Sequence, residues 1–342
     1  MAKKVGVGAA LVVLAGGCGG DEACSDLSET PVGCLGTRVE RIWSGPYRDE
    51  GLISFSREFL KLDDTHVYWS TSNEEIARAS KDTLEAEVLT GFTTCAVGGL
   101  AVDDAWLYYS RVCPGQGTLF QSSLERLPEG GGAPEVLLEL PGEAMDLSVD
   151  DGYLYWLLRS LEQELSFVRR IDPNAPPLAS EPFGPITEGP IYTYHTVLDD
   201  FVYWIPSTDW TLWRTPVDGV PADAARIATL DNDVEEVFAE GDCVLVRTRT
   251  EQLQFPLLRR CGEGDIQEYL PSVAAHVAVH DGVVYGAGIR DGHAYISRWL
   301  PPDPERRTMV SSVSFPGAIA ADGTHVYWIQ GSGGTEVYRV KH

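Results

Sequence analysis

Ala-Asp-Gly-Thr-His-Val-Tyr-Trp at residues 321–328 repeats Leu-Asp-Asp-Thr-His-Val-Tyr-Trp at residues 62–69, near the other end of a 342-residue chain. Weaker copies of this eight-residue motif lie between the two. They align on one column, which is held by Tyr68, Tyr108, Tyr155, Tyr203, Leu245, Tyr285 and Tyr327. The spacings between successive members are 40, 47, 48, 42, 40 and 42 residues. Periods of about 40 to 50 residues indicate repeated units of a few short strands.

Each copy predicts four strands, as the second unit illustrates. Its strands are predicted at residues 99–103, 106–112, 118–124 and 135–140. Apolar residues stand both before and within the Val-Tyr-Trp phrase, which predicts sheets that are buried on both faces. One column between the first and second strands holds acids or glycines, which we interpret as turn formers rather than as a site. Its members are Asp64, Asp104, Asp151, Asp199, Gly241, Asp281 and Gly323.

Seven such units predict an all-β, seven-bladed β-propeller that spans residues 37–342. The seventh unit ends after its third strand, at residues 336–341, and so lacks an outer strand. Residues 37–44, Thr-Arg-Val-Glu-Arg-Ile-Trp-Ser, form an unassigned strand before the first unit. We therefore predict that this strand joins the last blade and closes the ring, because closure removes unpaired edges.

The N-terminus has the features of a secretory leader. Two lysines precede an apolar run at residues 5–14, and small residues then lead to Cys18. This run is too short to span a membrane, which predicts a signal peptide at residues 1–17. The segment before Cys18 resembles a bacterial lipobox, which implies a lipoprotein anchored to the membrane by a lipid on that cysteine. Gly19 favours the outer membrane, facing the periplasm or the cell surface, and residues 18–36 are then a flexible tether. A secreted protein with a chance cysteine is the alternative.

The other six cysteines are even in number, in a chain that is predicted to leave the reducing cytosol. Two pairs are symmetric about predicted turns, one around Asp104 and one around Gln252, and such symmetry sets residues opposite each other in a hairpin. Metal binding is the rival interpretation, although the spacing matches no CxxC pattern. The predicted pairs are Cys95–Cys113, Cys243–Cys261 and Cys24–Cys34.

The composition is strongly acidic. Asp and Glu number 51 against 26 Lys and Arg, for a net charge of −25. This balance excludes nucleic acid as an expected partner, because a nucleic-acid binder needs a basic patch. Cations, basic partners or simple solubility fit the charge better.

The units resemble the YWTD propeller repeats of low-density-lipoprotein-receptor-type ectodomains and related short propeller repeats of bacterial envelope proteins. The similarity is carried by Val67-Tyr68-Trp69 with Ile76-Ala77-Arg78-Ala79, Val202-Tyr203-Trp204 with Leu212-Trp213-Arg214-Thr215, and Val326-Tyr327-Trp328 with Val337-Tyr338-Arg339-Val340. The Thr-Asp that follows Tyr-Trp in that family is absent here, and the family has six blades. The resemblance implies the fold and does not carry over a ligand.

One column, nine residues before the aromatic column, is varied where its neighbours are uniform, and it is predicted at the mouth of the central channel. Four of its members, Asp146, Tyr194, Glu236 and His276, could converge on a polar ligand or a divalent cation. They could equally be solvated residues at loop ends. His195 is the one polar residue in an otherwise aliphatic column, which predicts either a hydrogen-bonded core histidine or a proton carrier. Trp210 and Trp213 lie outside the Tyr-Trp columns and either stack on a ligand or pack between blades.

Three functions remain open from the sequence, in which no catalytic motif stands in its required context. The first is a cell-envelope lipoprotein whose propeller is a platform for an unknown protein or small-molecule ligand. The second is a propeller hydrolase or lyase with a channel-mouth site, with a divalent cation possible and no other cofactor expected. The third is a subunit of an envelope assembly with no small ligand.

Overall fold

The computed structural model describes most of the chain between Val32 and His342. The described ranges are 32–33, 38–45, 59–71, 75–92, 94–115, 120–160, 165–175, 181–182, 187–188, 193–206, 209–290, 293–301, 303–312, 315–331 and 335–342. Within these ranges the structure is all-β, with one short 3-10 turn at Pro221–Asp223 and no α-helix. The predicted signal peptide, Cys18, Cys24 and Cys34 lie outside the described residues. No helix in the described ranges combines the length and the apolar character that crossing a membrane requires.

Thirty strands are numbered here in chain order. The first group is β1 (Val32–Gly33), β2 (Val39–Ser44), β3 (Leu60–Leu62), β4 (His66–Ser70), β5 (Glu75–Ser80) and β6 (Ala86–Gly91). The second is β7 (Ala96–Val102), β8 (Trp106–Pro114), β9 (Phe120–Pro128), β10 (Glu135–Pro141), β11 (Glu143–Asp150), β12 (Tyr153–Ser160), β13 (Leu165–Ile171), β14 (Glu181–Pro182), β15 (Thr187–Glu188), β16 (Thr193–Leu198), β17 (Phe201–Pro206), β18 (Thr211–Pro216), β19 (Ala225–Thr229), β20 (Asp233–Glu240), β21 (Cys243–Arg249), β22 (Leu257–Cys261) and β23 (Gln267–Leu270). The third is β24 (His276–His280), β25 (Val283–Arg290), β26 (His293–Leu300), β27 (Asp303–Ser312), β28 (Phe315–Ala321), β29 (His325–Gly331) and β30 (Thr335–Lys341).

In the described ranges the strands form seven antiparallel sheets in which strands adjacent in sequence pair with each other, except that β1 pairs with β27, β2 with β30 and β15 with β13. Four sheets, β7–β10, β11–β15, β16–β19 and β20–β23, belong to a compact unit that we call the central unit, residues 93–272 with 55–57. Three sheets, β3–β6, β24–β27 and β28–β30, belong to the terminal unit, residues 1–54, 58–92 and 273–342. This is the strand plan of a seven-bladed β-propeller, and the predicted fold class is confirmed.

The last sheet of the terminal unit is completed by the N-terminal strand, as predicted. β2 pairs antiparallel with β30, with Arg41 opposite Tyr338. Ile42 and Trp43 of β2 are buried, and the Trp43 ring centroid lies 5.8 Å from that of Trp69. The N-terminal strand therefore contributes core side chains as well as backbone hydrogen bonds.

A second, shorter N-terminal strand adds to the sheet before it. β1 pairs antiparallel with β27, with Val32 opposite Ser311. These two residues are the only described part of the segment predicted as a flexible tether. At this point, the segment is therefore hydrogen-bonded along the outer edge of a sheet.

The core of each unit lies between the faces of adjacent sheets, because the Tyr-Trp phrase is buried on both sides. Tyr68, Trp69, Tyr327 and Trp328 of the terminal unit are 0% exposed. In the central unit, Trp156 is packed among residues of β7 to β13 in one apolar cluster. Such burial explains why the strands read as continuous apolar runs rather than as alternating ones.

Two of the predicted disulfides are confirmed, and both lie in the central unit. Cys95 and Cys113 join the entry of β7 to the end of β8, with their Cα atoms 4.2 Å apart. Cys243 and Cys261 face each other across β21 and β22, with their Cα atoms 4.0 Å apart. The predicted symmetry about hairpin turns was therefore the correct reason for pairing them.

An arginine in the third strand lies opposite the aromatic column in every sheet, and three of these arginines, Arg78, Arg214 and Arg339, belong to the motifs that carry the family resemblance. The opposed pairs are Tyr68 and Arg78, Tyr108 and Arg126, Tyr155 and Arg170, Tyr203 and Arg214, Leu245 and Arg259, Tyr285 and Arg298, and Tyr327 and Arg339. Arg78 bonds Glu87 at 2.7 Å, and Arg339 bonds Glu40 at 2.8 Å. In these two sheets the guanidinium links the second, third and outermost strands.

Candidate functional site

The first strands of the four central sheets lie side by side in sequence order: β7 packs against β11, β11 against β16 and β16 against β20. Asp146, Tyr194 and Glu236 occupy equivalent places near the start of β11, β16 and β20. The structure therefore brings three of the four predicted ligand residues onto neighbouring strands, at the end where the chain enters them. We call this surface the entry end. His276 is an exposed residue at the start of β24, in the terminal unit.

The entry end is irregular because three of its four first strands carry a β-bulge. One extra residue interrupts the register of β7 between Val97 and Gly99, of β11 between Met145 and Ser148, and of β20 between Val234 and Glu236. Asp146 lies within the β11 bulge and has a φ of 55°, a left-handed conformation that is uncommon outside glycine. Bulges redirect the side chains that they carry. The varied column is thus also the place where the strands are distorted.

Two glycines of β7 allow the bulge of β11 to pack close to the β7 backbone. A Cβ atom on Gly99 would lie 2.7 Å from the backbone N of Leu147 and 3.0 Å from that of Asp146. A Cβ atom on Gly98 would lie 2.3 Å from the carbonyl oxygen of Ala144. The backbones of β7 and β11 thus pack closely here, and a β-carbon at either glycine would collide with the backbone of β11.

His195 of β16 reaches two polar side chains of β11. Its Nε2 lies 3.2 Å from the Ser148 hydroxyl, within hydrogen-bond distance. Its Nδ1 lies 3.7 Å from a carboxylate oxygen of Asp146. The imidazole is 1% exposed and the Asp146 side chain 38%, so the ring is held inside while the acid faces the surface. Of the two sequence interpretations, hydrogen bonding of this histidine is present, and the same contacts leave a proton-carrying role open.

Glu236 does not stand alone at the entry end, because an arginine of β21 pairs with it. The Arg247 Nε lies 3.2 Å from the Glu236 carboxylate, and the Arg247 side chain is 6% exposed against 38% for Glu236. Arg249 pairs in the same way with Asp233 at 3.4 Å and Glu235 at 3.0 Å. Three carboxylates of β20, those of Asp233, Glu235 and Glu236, are thus paired with two arginines, which leaves this group of side chains with a net charge of −1.

Two buried charge networks support the entry end, and the sequence analysis missed both. Glu143, the first residue of β11, forms an ion pair with Arg159 of β12, and both side chains are buried. Burial raises the pKa of Glu143, although the Arg159 guanidinium opposes the shift. Buried ion pairs of this kind fix geometry more than they add stability.

The second network lies between β8 and β9, where Tyr109 replaces the usual Trp. The carboxylate of Glu125, which is 4% exposed, accepts hydrogen bonds from Tyr109 at 2.7 Å and Ser123 at 2.7 Å and pairs with Arg111 at 2.8 Å. Two features of the sequence could have indicated this network: Tyr-Tyr stands at residues 108–109 where several other repeats have Tyr-Trp, and an acid lies in the middle of the following strand.

A metal site receives little support from the central unit. Asp242, Cys243 and Cys261 bring potential ligand atoms within reach of one ion, but the two sulfurs are joined in a disulfide and offer no thiolate. Among the described residues, neither Asp146 nor Glu236 belongs to a group of three such ligands.

The two tryptophans that were considered as stacking platforms belong to the third central sheet, β16–β19. Trp213 stacks on Trp204 of the adjacent strand, with centroids 5.6 Å apart and planes 8° apart. Trp210 has a φ of 48° in the loop before β18 and packs, half-buried, on the apolar cluster of that sheet and the next. Trp213 thus packs within its sheet, and Trp210 keeps part of its ring at the surface.

Comparison with known proteins identifies the fold. No protein-family model matches the chain, and no curated protein matches it in sequence. The β-propeller domain of the Trilobed protease from Pyrococcus furiosus is 11% identical with a TM-score of 0.58, over 83% of this chain and 95% of that one. A puromycin-hydrolyzing peptidase of Mycobacterium tuberculosis is 11% identical with a TM-score of 0.58, over 80% of this chain and 50% of that one. The computationally designed Ika8 protein is 12% identical with a TM-score of 0.54, over 84% of this chain and 96% of that one.

These similarities define the class of protein: a β-propeller. The chain spans about half the length of the Mycobacterium tuberculosis peptidase. At such identities the likeness concerns the fold, and the activities of these proteins do not transfer with it.

Proposed function

We propose that this chain is a cell-envelope lipoprotein whose propeller is a binding platform, with its ligand surface at the entry end of the central unit. One observation supports the platform: a regular scaffold of buried columns is interrupted by bulges in β11 and β20, at part-exposed Asp146 and Glu236, with part-exposed Tyr194 on the regular strand β16 between them. Bulges concentrate next to binding and active sites. Two carboxylates and a phenol suit a cationic or hydroxyl-rich ligand, either on a small molecule or on the surface of a protein.

The anchor in this proposal rests on the sequence. Cys18 follows a leader that resembles those of lipoproteins, so the membrane partner is reached through a lipid on that cysteine, with the outer membrane favoured. The strongly negative net charge makes nucleic acid an unsuitable partner. Replacing Cys18 by Ser should move the protein from the membrane fraction to the supernatant, and unchanged fractionation would contradict the anchor.

The platform is tested by capture from solubilised envelopes. Wild-type protein is compared with an Asp146→Asn/Glu236→Gln variant and with an Asp151→Asn/Asp199→Asn control. The control makes the same charge change in hairpins at the opposite end of the first strands, where Asn tolerates the positive φ of both residues. We expect a stoichiometric partner that the control retains and the site variant loses.

Two other outcomes contradict the entry end as the binding surface. A partner that both variants retain would instead support a subunit of an envelope assembly with no ligand at this surface. No stoichiometric partner with any of the three proteins would argue against a protein ligand altogether.

An enzyme is the second candidate, and the contacts of His195 favour it. A histidine held between a carboxylate and a hydroxyl is the arrangement that general acid and base catalysis requires. A hydrolase fits these residues better than a metal-dependent lyase, since a Ser148 hydroxyl supplies a nucleophile and no set of three metal ligands includes Asp146 or Glu236 among the described residues.

A further inference from the structure

Three side chains of the central unit, on two adjacent strands, form a serine, histidine and aspartate constellation. The Ser148 hydroxyl lies 3.2 Å from Nε2 of His195, and Nδ1 of His195 lies 3.7 Å from Asp146. We propose that Ser148 is a nucleophile, with His195 as its general base and Asp146 as the group that orients the imidazole, and that this site cleaves short-chain acyl esters. Such a triad is recognised by the roles and geometry of its members rather than by their order in the chain.

Nε2 of His195 is within hydrogen-bond distance of the Ser148 hydroxyl, and Nδ1 faces the Asp146 carboxylate at 3.7 Å, a contact that must shorten for a hydrogen bond to form. A base needs one nitrogen on the nucleophile and the other on a group that fixes the tautomer. Here both partners come from β11, two residues apart, while the histidine comes from β16. The distances are slightly long, as catalytic contacts without substrate frequently are.

The backbone of Asp146 separates this constellation from an ordinary buried histidine. A buried histidine needs a partner for each of its two ring nitrogens, and the Ser148 hydroxyl supplies only one. Asp146 is held at a φ of 55° inside the bulge between Met145 and Ser148, which places two residues opposite one on β12. Backbone strain in a non-glycine residue concentrates at functional sites. Glycines of β7 pack against this bulge and hold it in place.

The surroundings restrict the substrate. His195 is almost fully shielded, whereas Ser148 and Asp146 are both half-buried. A half-buried hydroxyl is more accessible to a slim acyl group than to a peptide backbone. This is the reason for specifying short-chain esters rather than peptides.

The reaction follows the acyl-transfer scheme. The Ser148 oxygen bonds to the ester carbonyl carbon while its proton passes to Nε2 of His195. The bond from that carbon to the alkoxy oxygen then breaks, and the alcohol departs with the proton from His195. Water attacks the resulting acyl-serine by the same route, which releases the carboxylic acid and restores the serine.

The test uses a fluorophosphonate probe, which forms a phosphorus–oxygen bond to an activated serine and loses fluoride. We expect mass spectrometry of the labelled full chain to locate the adduct on Ser148. Ser148→Ala should remove both the adduct and hydrolysis of p-nitrophenyl acetate, and His195→Gln should slow labelling by about 100-fold or more. Ser272→Ala, at an exposed serine, is the matched control and should label like the wild type.

Thermal melts of every variant separate loss of chemistry from loss of folding. A folded wild-type protein without an adduct on Ser148 would overturn the proposal, as would an equal labelling rate in a folded His195→Gln variant. The outcome is independent of the binding platform, because Ser148→Ala leaves Asp146, Tyr194 and Glu236 in place and should retain any captured partner.

Discussion

A single aspartate ties the hairpin of the repeat to its core. Oδ1 of Asp322 accepts hydrogen bonds from the backbone N–H groups of Thr324 and His325, and Oδ2 accepts one from the Tyr327 hydroxyl at 3.1 Å. Asp63 does the same with Tyr68 at 2.6 Å. The residue that follows each of them is the acid or glycine that was predicted to form the turn.

The backbone geometry of several residues in this column agrees with the predicted role as turn formers. Asp151, Asp199, Asp281 and Gly241 have positive φ angles, as turn formers do. The preceding aspartate, which bonds the aromatic column, was not singled out, because its partner lies five residues away and only the folded hairpin brings them together.

Asp322 should make stability depend on pH. Burial raises its pKa, but the hydrogen bonds from Lys81, His325 and Thr324 outweigh burial and hold the pKa well below its ordinary value. A carboxylate with a depressed pKa stabilises the fold above the ordinary aspartate pKa, and that contribution is lost as the pH falls below about 4.

We therefore expect Asp322→Asn to lower the free energy of unfolding by about 2 kcal/mol at pH 7. The difference from wild type should shrink steadily as the pH falls from about 5 toward 2. Urea unfolding at several pH values measures it, with the exposed Asp64→Asn as the control. A gap that stayed constant with pH would show that the ionised carboxylate is not what stabilises this hairpin.

At the scale of the elements, the first strands of the central sheets show which features the sequence predicts and which it does not. Their columns were predicted because each repeat buries the same faces. The bulges were not, since an extra residue in one strand is defined only by the register of its partner. The Gly98-Gly99 pair was the one available signal, because adjacent glycines within a strand indicate a bulge or a close approach of another backbone.

Gly99→Ala tests how tightly β7 and β11 pack. The added Cβ would meet the backbone of Leu147 at 2.7 Å, which neither strand can relieve by a rotamer change. We expect a loss of about 1 to 3 kcal/mol in the free energy of unfolding. Gly130→Ala is the matched control, since a Cβ there has no atom within 4 Å. Equal denaturant midpoints for the two variants would mean that the bulge can move away from β7.

At the scale of the whole molecule, the sequence predicted the number of sheets and the pairing of the strand at residues 37–44, now β2, with the last strand, β30. Both follow from two requirements: each repeat buries both faces of its sheet, and the last sheet needs an outer strand from elsewhere in the chain. The partners of His195 and Glu236 were not predictable in the same way. Ser148 and Arg247 come from different strands of the repeat, and no periodicity marks which polar residues will meet.

A chain that begins at residue 45 should be much less stable than one that begins at residue 37. The shorter chain lacks Ile42 and Trp43, which are buried, and the ion pair of Glu40 with Arg339. Loss of buried side chains of this size costs about 2 to 5 kcal/mol each. We expect the melting temperature to fall by about 10 °C or more, as measured by circular dichroism. A fall of only a degree or two would mean that β2 is dispensable to the last sheet.

Because β2 pairs with β30, the last sheet cannot be completed until the C-terminal strand has been synthesised. Arg41 and Glu336, which meet in this sheet, are 295 residues apart. At ribosomal rates of about 5 to 20 residues per second, β2 waits roughly 15 to 60 seconds for its neighbour to be made. During that interval the nascent chain offers an unprotected apolar segment to chaperones and proteases. A prematurely terminated chain that lacks β30 therefore cannot complete this sheet.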